Sequence, residues 1–270
     1  EKGEGKKPLT QRLRTSRDHL AGTVAILALF LPSIAAPLGA EKKTDGAQSI
    51  RFSGYDWDVR QAGLGGPGPN QWEPGNVWVD AKGRLHLKIT HGKDGWHCAE
   101  VSTRQKFGLG RYQFQITGPV GQLDPNIVLG LFDYPTPDVG PDGTHEIDIE
   151  FSRWGRADTP LGNYTVCPAQ QGITNTTHPF PVPPGSLDTT QRFGRERGKT
   201  SFQSLRGFQN GNVGEFARWV FPPADPEKRI SQAAMPVHLN LWLFQGKPPQ
   251  DGREVEIVVR QFSFQPERHH

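Results

Sequence analysis

Within residues 144–151, three carboxylates alternate with apolar side chains at a strict period of two from Glu146 onward. Because successive side chains of a β-strand point to opposite faces, this period places the carboxylates of Glu146, Asp148 and Glu150 on one face. The three apolar side chains between and after them lie on the other face. The segment therefore predicts a strand with an acidic surface on one side and a hydrophobic core on the other.

The chemistry of such an acidic row is unusual. Neighbouring carboxylates on one strand face lie roughly 6–7 Å apart, since each residue rises about 3.3 Å. Like charges this close disfavour joint ionisation, so at least one pKa should be raised. A carboxylic acid held neutral beside an ionised carboxylate is suited to cleaving a glycosidic bond. The alternative is a solvated strand face, which would more often mix in Lys, Thr or Ser. We interpret this strand as the floor of an active site.

Short strand-like segments separated by turn residues continue through the rest of the chain. No apolar period of 3.6 residues is long enough to predict a helix, and the 32 glycines and 24 prolines are typical of many turns. The predicted strands are 52–60, 77–80, 84–90, 97–103, 111–117, 127–132, 144–151, 161–167, 200–206, 215–221, 237–244 and 254–264, with loops at 63–70 and 172–185. The pattern predicts an all-β fold, a sandwich of two antiparallel sheets in a single domain over residues 51–266.

Residues 1–40 have the composition of an export leader. A basic stretch precedes an apolar run at 23–31, and small residues follow as far as Ala40. We expect a signal peptide cleaved after Ala35 or Ala40, a polar linker at 41–50, and a secreted or periplasmic protein without stable membrane association. The alternative is a protein anchored through the uncleaved leader, since the uncharged residues 20–40 could span a bilayer, although two prolines interrupt them.

The net charge of +3 arises in this leader. It carries six basic and three acidic side chains, which leaves 25 of each sign in the rest of the chain. A neutral body gives no indication of nucleic acid binding. The two cysteines and the scattered histidines have no zinc-type spacing. We expect a monomer that needs no metal or cofactor for its activity, with a structural calcium ion as the one option left open.

Four segments resemble glycoside hydrolase family 16, the clan of lichenases, laminarinases and xyloglucan-active enzymes. Residues 146–150 resemble the signature strand of that family, and Glu100 followed by residues 107–112 resembles its segment before an FGYGRYE-type strand. Residues 239–242 resemble its MNLW strand, and residues 162–165 resemble the strand after the catalytic one. The four matches stand in the family's order and span nearly all of the chain after the leader.

The resemblance implies a β-jelly roll with a concave glycan-binding cleft. It also implies an endo-β-glucanase-type hydrolase that cleaves a β-linked glucan polysaccharide by a retaining double displacement. Glu146 would be the nucleophile and Glu150 the general acid/base, while Asp148 would hold a hydrogen bond to the nucleophile. Retaining carboxyl groups stand about 5–5.5 Å apart, whereas Cα atoms four residues apart on a straight strand are about 13 Å apart. The backbone must therefore depart from a straight strand at this point.

Further residues are candidates for binding sugar. Tyr134, Trp154 and Trp242 could stack on sugar rings or pack in the core. Glu100 could bind hydroxyls or pair with Arg104 or Arg111, and its family position favours the cleft. The resemblance also implies substrate contacts from Asn163 and Asn240. Three other tryptophans, by contrast, we expect to be structural: Trp57, Trp72 and Trp78.

Departures from the family concern the substrate and the cysteines. Lichenases have a Trp where this chain has Thr144, so the linkage that is cleaved stays open. Their disulfide partner for the position of Cys98 falls near Asn70 or Gln71, so that bridge cannot form here. Cys98 and Cys167 are both expected on the cleft face. They could form a bridge with each other or remain two buried free thiols.

Three other functions compete with hydrolysis. A transglycosylase would use the same chemistry and the same residues. A lectin-like sandwich would keep the fold and bind carbohydrate without catalysis, although all three carboxylates are present. A cation-binding structural sandwich is the weakest option, because hard cations take six to eight oxygens from a loop.

Overall fold

The computed structural model describes residues 48–267. The predicted leader and residues 41–47 of the predicted linker lie outside this range. The strands within it are β1 (Ser49–Phe52), β2 (Tyr55–Val59), β3 (Gly63–Gly65), β4 (Asn70–Trp72), β5 (Val77–Val79), β6 (Leu85–Gly92), β7 (Gly95–Phe107), β8 (Gly110–Thr117), β9 (Ile127–Asp133), β10 (Ile147–Phe151), β11 (Gly162–Val166), β12 (Thr176–Phe180), β13 (Asp188–Arg195), β14 (Thr200–Arg206), β15 (Glu215–Phe221), β16 (Met235–Leu243) and β17 (Val255–Pro266). Helical structure in this range is limited to α1 (Pro226–Arg229) and two 3₁₀ turns, Pro74–Asn76 and Phe244–Gly246.

Two antiparallel sheets face each other. The front sheet has the strand order β1-β2-β7-β16-β9-β10-β11-β12. The back sheet has the order β5-β6-β17-β8-β13-β14-β15. Strands distant in sequence alternate within each sheet, which is the jelly-roll arrangement. The predicted all-β sandwich is confirmed.

The hydrophobic core lies between the sheets. Strand β10 contributes Ile147, Ile149 and Phe151, and its neighbour β9 contributes Leu129 and Leu131, all of them buried. Because each strand alternates, the residues between these point to the outer face of the front sheet. Burying one such apolar side chain stabilises the fold by about 1.5–3 kcal/mol. The core therefore holds the acidic residues of β10 on the opposite face.

The first predicted strand is two strands in the structure. Ser53 and Gly54 have φ angles of 51° and 84°, and they join β1 to β2 in a two-residue hairpin. Positive φ at both central residues is the geometry of a type I′ turn, which matches the twist of paired strands. Strand β1 begins at Ser49, so the last two residues of the predicted linker belong to the sheet.

Four strands lie where no strand was predicted: β3, β4, β12 and β13. The sequence of β13 is mostly polar, yet the strand is central in the back sheet and largely buried. Its Arg192 donates to the side-chain oxygens of Gln113 and Gln203 at 2.7 and 2.8 Å. Side-chain hydrogen bonding thus compensates for the burial of polar groups here, and the apolar alternation that identifies other strands is absent.

Within residues 48–267, the structure contains no helix with the length and apolar character that crossing a membrane would require.

Candidate active site

The acidic row lies near the middle of the front sheet. Strand β10 pairs with β9 on one side and with β11 on the other. Glu150 stands opposite Gly130 and Asn163, and Asp148 stands opposite Phe132 and Thr165. Asp148 is only 5% exposed although it points to the outer face, and Glu146 and Glu150 are half-buried. The outer face is therefore recessed here, and we call this recessed part of the face the cleft floor.

Glu146 precedes the strand rather than belonging to it. His145 has a φ of 65°, and the amide of Glu146 donates to the carbonyl of Thr144 at 2.8 Å. A hydrogen bond from residue i+2 to residue i across a positive φ is a γ-turn, a strained conformation. The predicted strand over 144–151 thus begins three residues late, at Ile147. The tight turn sets the direction from which Glu146 enters the cleft floor.

Burial and nearby negative charges raise the pKa of all three carboxyl groups. Burial raises the pKa of Glu146 to about 7, and burial followed by the charge of Glu146 raises the pKa of Glu150 to about 8. Burial and both neighbouring charges raise the pKa of Asp148 well above its ordinary value. Asp148 and Glu146 share a hydrogen bond, which raises the pKa of Asp148 and lowers that of Glu146. The row therefore retains protons at neutral pH.

A buried ion pair supports the beginning of β10 from the core side. The Asp133 Oδ1 accepts from the amide of Ile147 at 2.9 Å, and its Oδ2 lies 3.1 Å from Nη1 of Arg195. Both side chains are fully buried, and Arg195 also donates to the carbonyl of Phe107 at 2.7 Å. Burial raises the pKa of Asp133 to about 6 against the opposing charge of Arg195. The pair connects β9 of the front sheet to β13 of the back sheet, on the core side of Ile147.

This pair was not predicted from the sequence. Asp133 ends a strand of apolar residues and Arg195 ends the polar strand β13, 62 positions later. No local spacing connects the two residues, so only the packing of one sheet on the other reveals the contact.

Glu100 lies across the cleft floor with two basic partners. Its carboxylate contacts Arg60 at 2.6 Å and Nδ1 of His238 at 2.9 Å. Burial raises its pKa, but the hydrogen bond and charge of His238 and the charge of Arg60 outweigh that effect, so the pKa of Glu100 lies below its ordinary value. The pairing with Arg104 or Arg111 that the sequence left open is wrong. Arg104 pairs with Asp58, and Arg111 lies on the back sheet.

Asn240 presents an oxygen without a partner beside this row. Its Oδ1 is buried and accepts no hydrogen bond from any residue in 48–267. It lies over Gly130, where any larger side chain would collide with it. Across the sheet the order is Glu100, Asn240, Gly130, Glu150. This oxygen is covered by its surroundings, so the substrate contact predicted for Asn240 stays a prediction.

Asn163 does not have the predicted role. Its side chain is 1% exposed, and its Nδ2 donates to the carbonyl of Ser152 at 3.1 Å. That bond connects β11 to the residue that follows β10. Asn163 is therefore a structural residue that holds β11 against the end of β10, and its burial prevents contact with a substrate.

Aromatic residues line both ends of the floor. Trp242 shares the face of Asn240, and its ring centre lies 6.5 Å from that of Trp154, which in turn lies 5.6 Å from Phe244. At the other end, the ring of Tyr134 lies 5.5 Å from His238. Burial and the charge of Glu146 raise the pKa of Tyr134. The structure thus brings all three predicted aromatic residues to the acidic face.

The three tryptophans that we expected to be structural differ in their burial. Trp57 and Trp72 are buried, which agrees with a structural role. Trp78 is 36% exposed and stacks on His86 with ring centres 4.7 Å apart. It lies on β5 at the edge of the back sheet, away from the acidic row.

The two cysteines are free and buried. Cys98 is on β7 and Cys167 directly follows β11, with three strands of the front sheet between them. Four inter-strand steps amount to roughly 19 Å, whereas a disulfide needs Cα atoms within about 7 Å. The bridge is therefore excluded, and the alternative of two free thiols is the one the structure has.

Asn70 occupies the place opposite Cys98. The thiol of Cys98 donates to Oδ1 of Asn70 at 3.4 Å, and Nδ2 of Asn70 donates to the carbonyls of Pro67 and Leu243 at 2.7 and 2.9 Å. These hydrogen bonds fasten the loop between β3 and β4 to the end of β16. They connect the chain segments at the position where the resemblance places the lichenase bridge.

The back sheet offers no comparable chemistry on its outer face. A depression of about 490 Å³ there is lined by residues that include Arg111, Arg192, Glu196 and Glu267. Glu196 pairs with Lys199 at 3.3 Å. The described residues around this depression include no row of carboxylates with raised pKa, so the front sheet carries the candidate active site.

No protein-family model matches the chain, and no curated protein sequence matches it significantly. Solved structures do match its fold. A β-1,3-1,4-glucanase (lichenase) derived from a mouse hindgut metagenome superposes with a TM-score of 0.56 at 22% identity, over 82% of this chain and 99% of that one. The β-glucanase of Bacillus licheniformis gives 0.57 at 20% identity, over 84% and 100%.

A third match is described as an immunostimulatory antigen and pseudo β-1,3-glucanase of Mycobacterium tuberculosis. It superposes with a TM-score of 0.59 at 20% identity, over 78% of this chain and 91% of that one. At these identities the likeness concerns the fold. The chain therefore has the jelly-roll fold found in β-glucanases, as the resemblance in its sequence implies.

Proposed function

We propose that this protein is a retaining glycoside hydrolase of the family 16 type that cleaves a β-linked glucan. The observation that carries the proposal is the row of Glu146, Asp148 and Glu150 on the floor of a jelly-roll cleft, with raised pKa values and no cation among the groups that shift them. A row without countercharge retains a proton next to a group that can lose one. That combination supplies both an acid and a nucleophile.

The reaction proceeds in two displacements. Glu146 attacks the anomeric carbon while Glu150 donates its proton to the departing glycosidic oxygen, so a glycosyl–enzyme ester forms and the shortened chain leaves. Glu150, now ionised, then takes a proton from water, and the hydroxide attacks the anomeric carbon and releases Glu146. Asp148 donates a hydrogen bond to Glu146 and stabilises its ionised form.

The causes of the pKa shifts support these roles. The hydrogen bond from Asp148 lowers the pKa of Glu146, whereas the charge of Glu146 raises the pKa of Glu150. Near neutral pH this favours the state with Glu146 ionised and Glu150 protonated, and this is the reactive state. After the ester forms, Glu146 is neutral and no longer raises the pKa of Glu150, which helps Glu150 to act as a base.

Neighbouring groups would hold the sugar. The carboxylate of Glu100 is an acceptor for hydroxyl groups. The rings of Trp154 and Trp242 could cover the apolar face of a sugar ring. The proposal also includes export through the predicted leader and action as a monomer, which N-terminal sequencing and sedimentation of the mature protein would test.

The decisive experiment is incubation with a panel of β-glucans while new reducing ends are measured. The native protein should release them, and Glu146→Gln should not. Azide should restore turnover to Glu146→Gly as a glycosyl azide of inverted configuration. Glu227→Gln is the matched control, because Glu227 is an exposed acidic residue in the short helix α1. Full activity of Glu146→Gln would contradict the proposal.

Two other activities would give different results in the same panel. A transglycosylase would make chains longer than the donor when acceptor sugars are supplied. A glycan-binding protein without catalysis would retain the polysaccharide but release no reducing ends. The second alternative has specific support, since one protein of this fold is described as a pseudo β-1,3-glucanase.

A further inference from the structure

Cys167 places a thiol among the catalytic carboxylates, and the proposed reaction does not use it. The amide of Cys167 donates to the carbonyl of Glu146 at 2.8 Å, so the two residues lie side by side at the end of β11 and the start of β10. The side chain is 4% exposed, and its thiol takes part in no hydrogen bond within residues 48–267. A buried polar group without a partner is directed into the acidic row.

Three donor atoms converge at this point. One carboxylate oxygen of Glu146, one of Asp148 and the Sγ of Cys167 all lie within 4.8 Å of one another. Zinc binds sulfur at about 2.3 Å and carboxylate oxygen at about 2.0–2.2 Å, so ligand atoms in a tetrahedral site are roughly 3.5 Å apart. Small side-chain rotations would bring the three atoms to that spacing.

We propose that Glu146, Asp148 and Cys167 form a binding site for a thiophilic divalent cation, of the class of Zn²⁺ and Cd²⁺, and that the bound cation blocks the active site. The donor set selects this class, because thiolate ligands favour zinc-like ions whereas calcium and magnesium require oxygen. The fourth position would be open to water from the cleft. Since Glu146 is half-buried, a cation can reach the site from the cleft.

Charge balance also favours a cation. No lysine or arginine among the described residues pairs with the three carboxylates of the row, so a divalent ion would replace the retained protons as the positive charge that offsets their repulsion. Binding would release the thiol proton, and the proton shared by Glu146 and Asp148, to solvent as the metal–sulfur and metal–oxygen bonds form. The lone pair that Glu146 needs for attack would then be engaged by the metal.

Titration of the full chain with Cd²⁺ tests the binding directly. Cadmium bound to a thiolate gives an ultraviolet charge-transfer band, and we expect one such site per chain. Cys167→Ala should lose the band, while Cys98→Ala should keep it, because Cys98 donates to Asn70 on a distant strand. Glu146→Gln should weaken binding by more than the roughly 10–100-fold that loss of an outer-shell partner costs.

Several results would overturn the site. These are the absence of a band in the native protein, a band that persists in Cys167→Ala, and a band that disappears in Cys98→Ala. Near-ultraviolet circular dichroism without metal establishes that each variant is folded. Unchanged Cd²⁺ affinity in folded Glu146→Gln would also overturn the site, and this variant leaves both thiols in place.

A second measurement concerns inhibition, which rests on the proposed hydrolysis. The ratio of the rates with and without Cd²⁺ should be low for the native protein and for Cys98→Ala, and close to one for Cys167→Ala. Absence of hydrolysis in the native protein would refute the proposed function while leaving the spectroscopic test intact. Hydrolysis that saturating Cd²⁺ does not reduce would refute the inference alone.

Discussion

Glu100 and Glu150 lie in one row across the front sheet, yet their surroundings are opposite. Three inter-strand steps separate them, which amounts to roughly 14 Å. Glu100 contacts Arg60 and His238, and its pKa is lowered. Glu150 has no basic partner among the groups that shift it, and burial and the charge of Glu146 raise its pKa to about 8. The same residue type on the same face thus has two different protonation states at neutral pH.

This difference shows that a neighbouring positive charge, rather than position on the sheet, decides whether a carboxylate is suited to bind hydroxyl groups or to transfer a proton. A carboxylate that is ionised throughout the neutral range can accept hydrogen bonds but has no proton to give. A carboxylate held protonated by burial and repulsion can act as an acid. The following experiments test whether the two ends of the row are functionally as distinct as their electrostatics.

Glu150→Gln should have the largest effect. Removing the general acid should reduce kcat on a polysaccharide by about 10²–10⁴-fold. An aryl glycoside with a good leaving group needs little protonation, so its first displacement should be largely preserved, as a burst of released phenol would reveal. Glu146→Gln should abolish that burst. An equal loss of the burst in both variants would contradict the assigned roles.

A third carboxylate, that of Asp133, extends the comparison into the core. It is paired with the guanidinium of Arg195 and is fully shielded from solvent. Arg195→Met would leave the Asp133 carboxyl group buried without its partner. Breaking such a pair should cost about 3–5 kcal/mol of the free energy of unfolding. Chemical denaturation measures this, with Arg51→Met as the control, since Arg51 forms an exposed pair with Asp56. A loss no larger than that of the control would contradict a supporting role.

The pH profile of kcat/KM should be bell-shaped, and the protonation of Glu146 and of Glu150 should determine its two limbs. Glu146 acts as the ionised form, so kcat/KM should fall as the pH drops below about 7. Glu150 acts as the protonated form, so kcat/KM should fall as the pH rises above about 8. Each limb should approach tenfold per pH unit for one proton. A profile that is flat from pH 5 to 9 would contradict the raised pKa values.

Glu100→Gln should have the smallest effect on the rate. The variant keeps an acceptor oxygen but loses the charge that Arg60 and His238 hold in place. A charge-assisted hydrogen bond is worth about 1.5–3 kcal/mol, so KM should rise by about tenfold or more while kcat changes little. The charge of Glu100 is among the causes that raise the pKa of Glu146, so the acid limb should move to lower pH, whereas the alkaline limb should stay in place because Glu100 does not act on Glu150. A shift of the alkaline limb would contradict this separation.

The comparison also shows which parts of the site were predictable. The acidic row could be predicted from residues 146–150, because carboxylates at every second position of a strand must lie on the same face of the sheet. The partners of Glu100 were not predicted, since Arg60 and His238 come from β2–β3 and β16, remote in sequence from β7. The predicted contact of Asn163 failed because a strand position indicates a face of the sheet but not whether that face is open.

Strand boundaries show the same limit. Apolar alternation predicted most strands. Strand β13 was not predicted, because its buried side chains are mostly polar and form hydrogen bonds with residues of other strands. The γ-turn at His145 was also unforeseen, since neither its residue type nor its neighbours indicate a positive φ. Positive φ outside glycine is set by the surrounding packing.

The sequence by itself determined the all-β fold class, the acidic face of β10 and the three carboxylates of the proposed reaction, because these depend on residues adjacent along one strand. Only the tertiary structure decided which carboxylates have countercharges and which polar side chains are buried. It also decided that the thiol of Cys167 lies beside the carboxylate of Glu146 and far from Cys98. Those properties depend on the spacing of strands that are far apart in the chain. Burial and charge in the folded protein, which follow from that spacing, set the pKa values on which the proposed function depends.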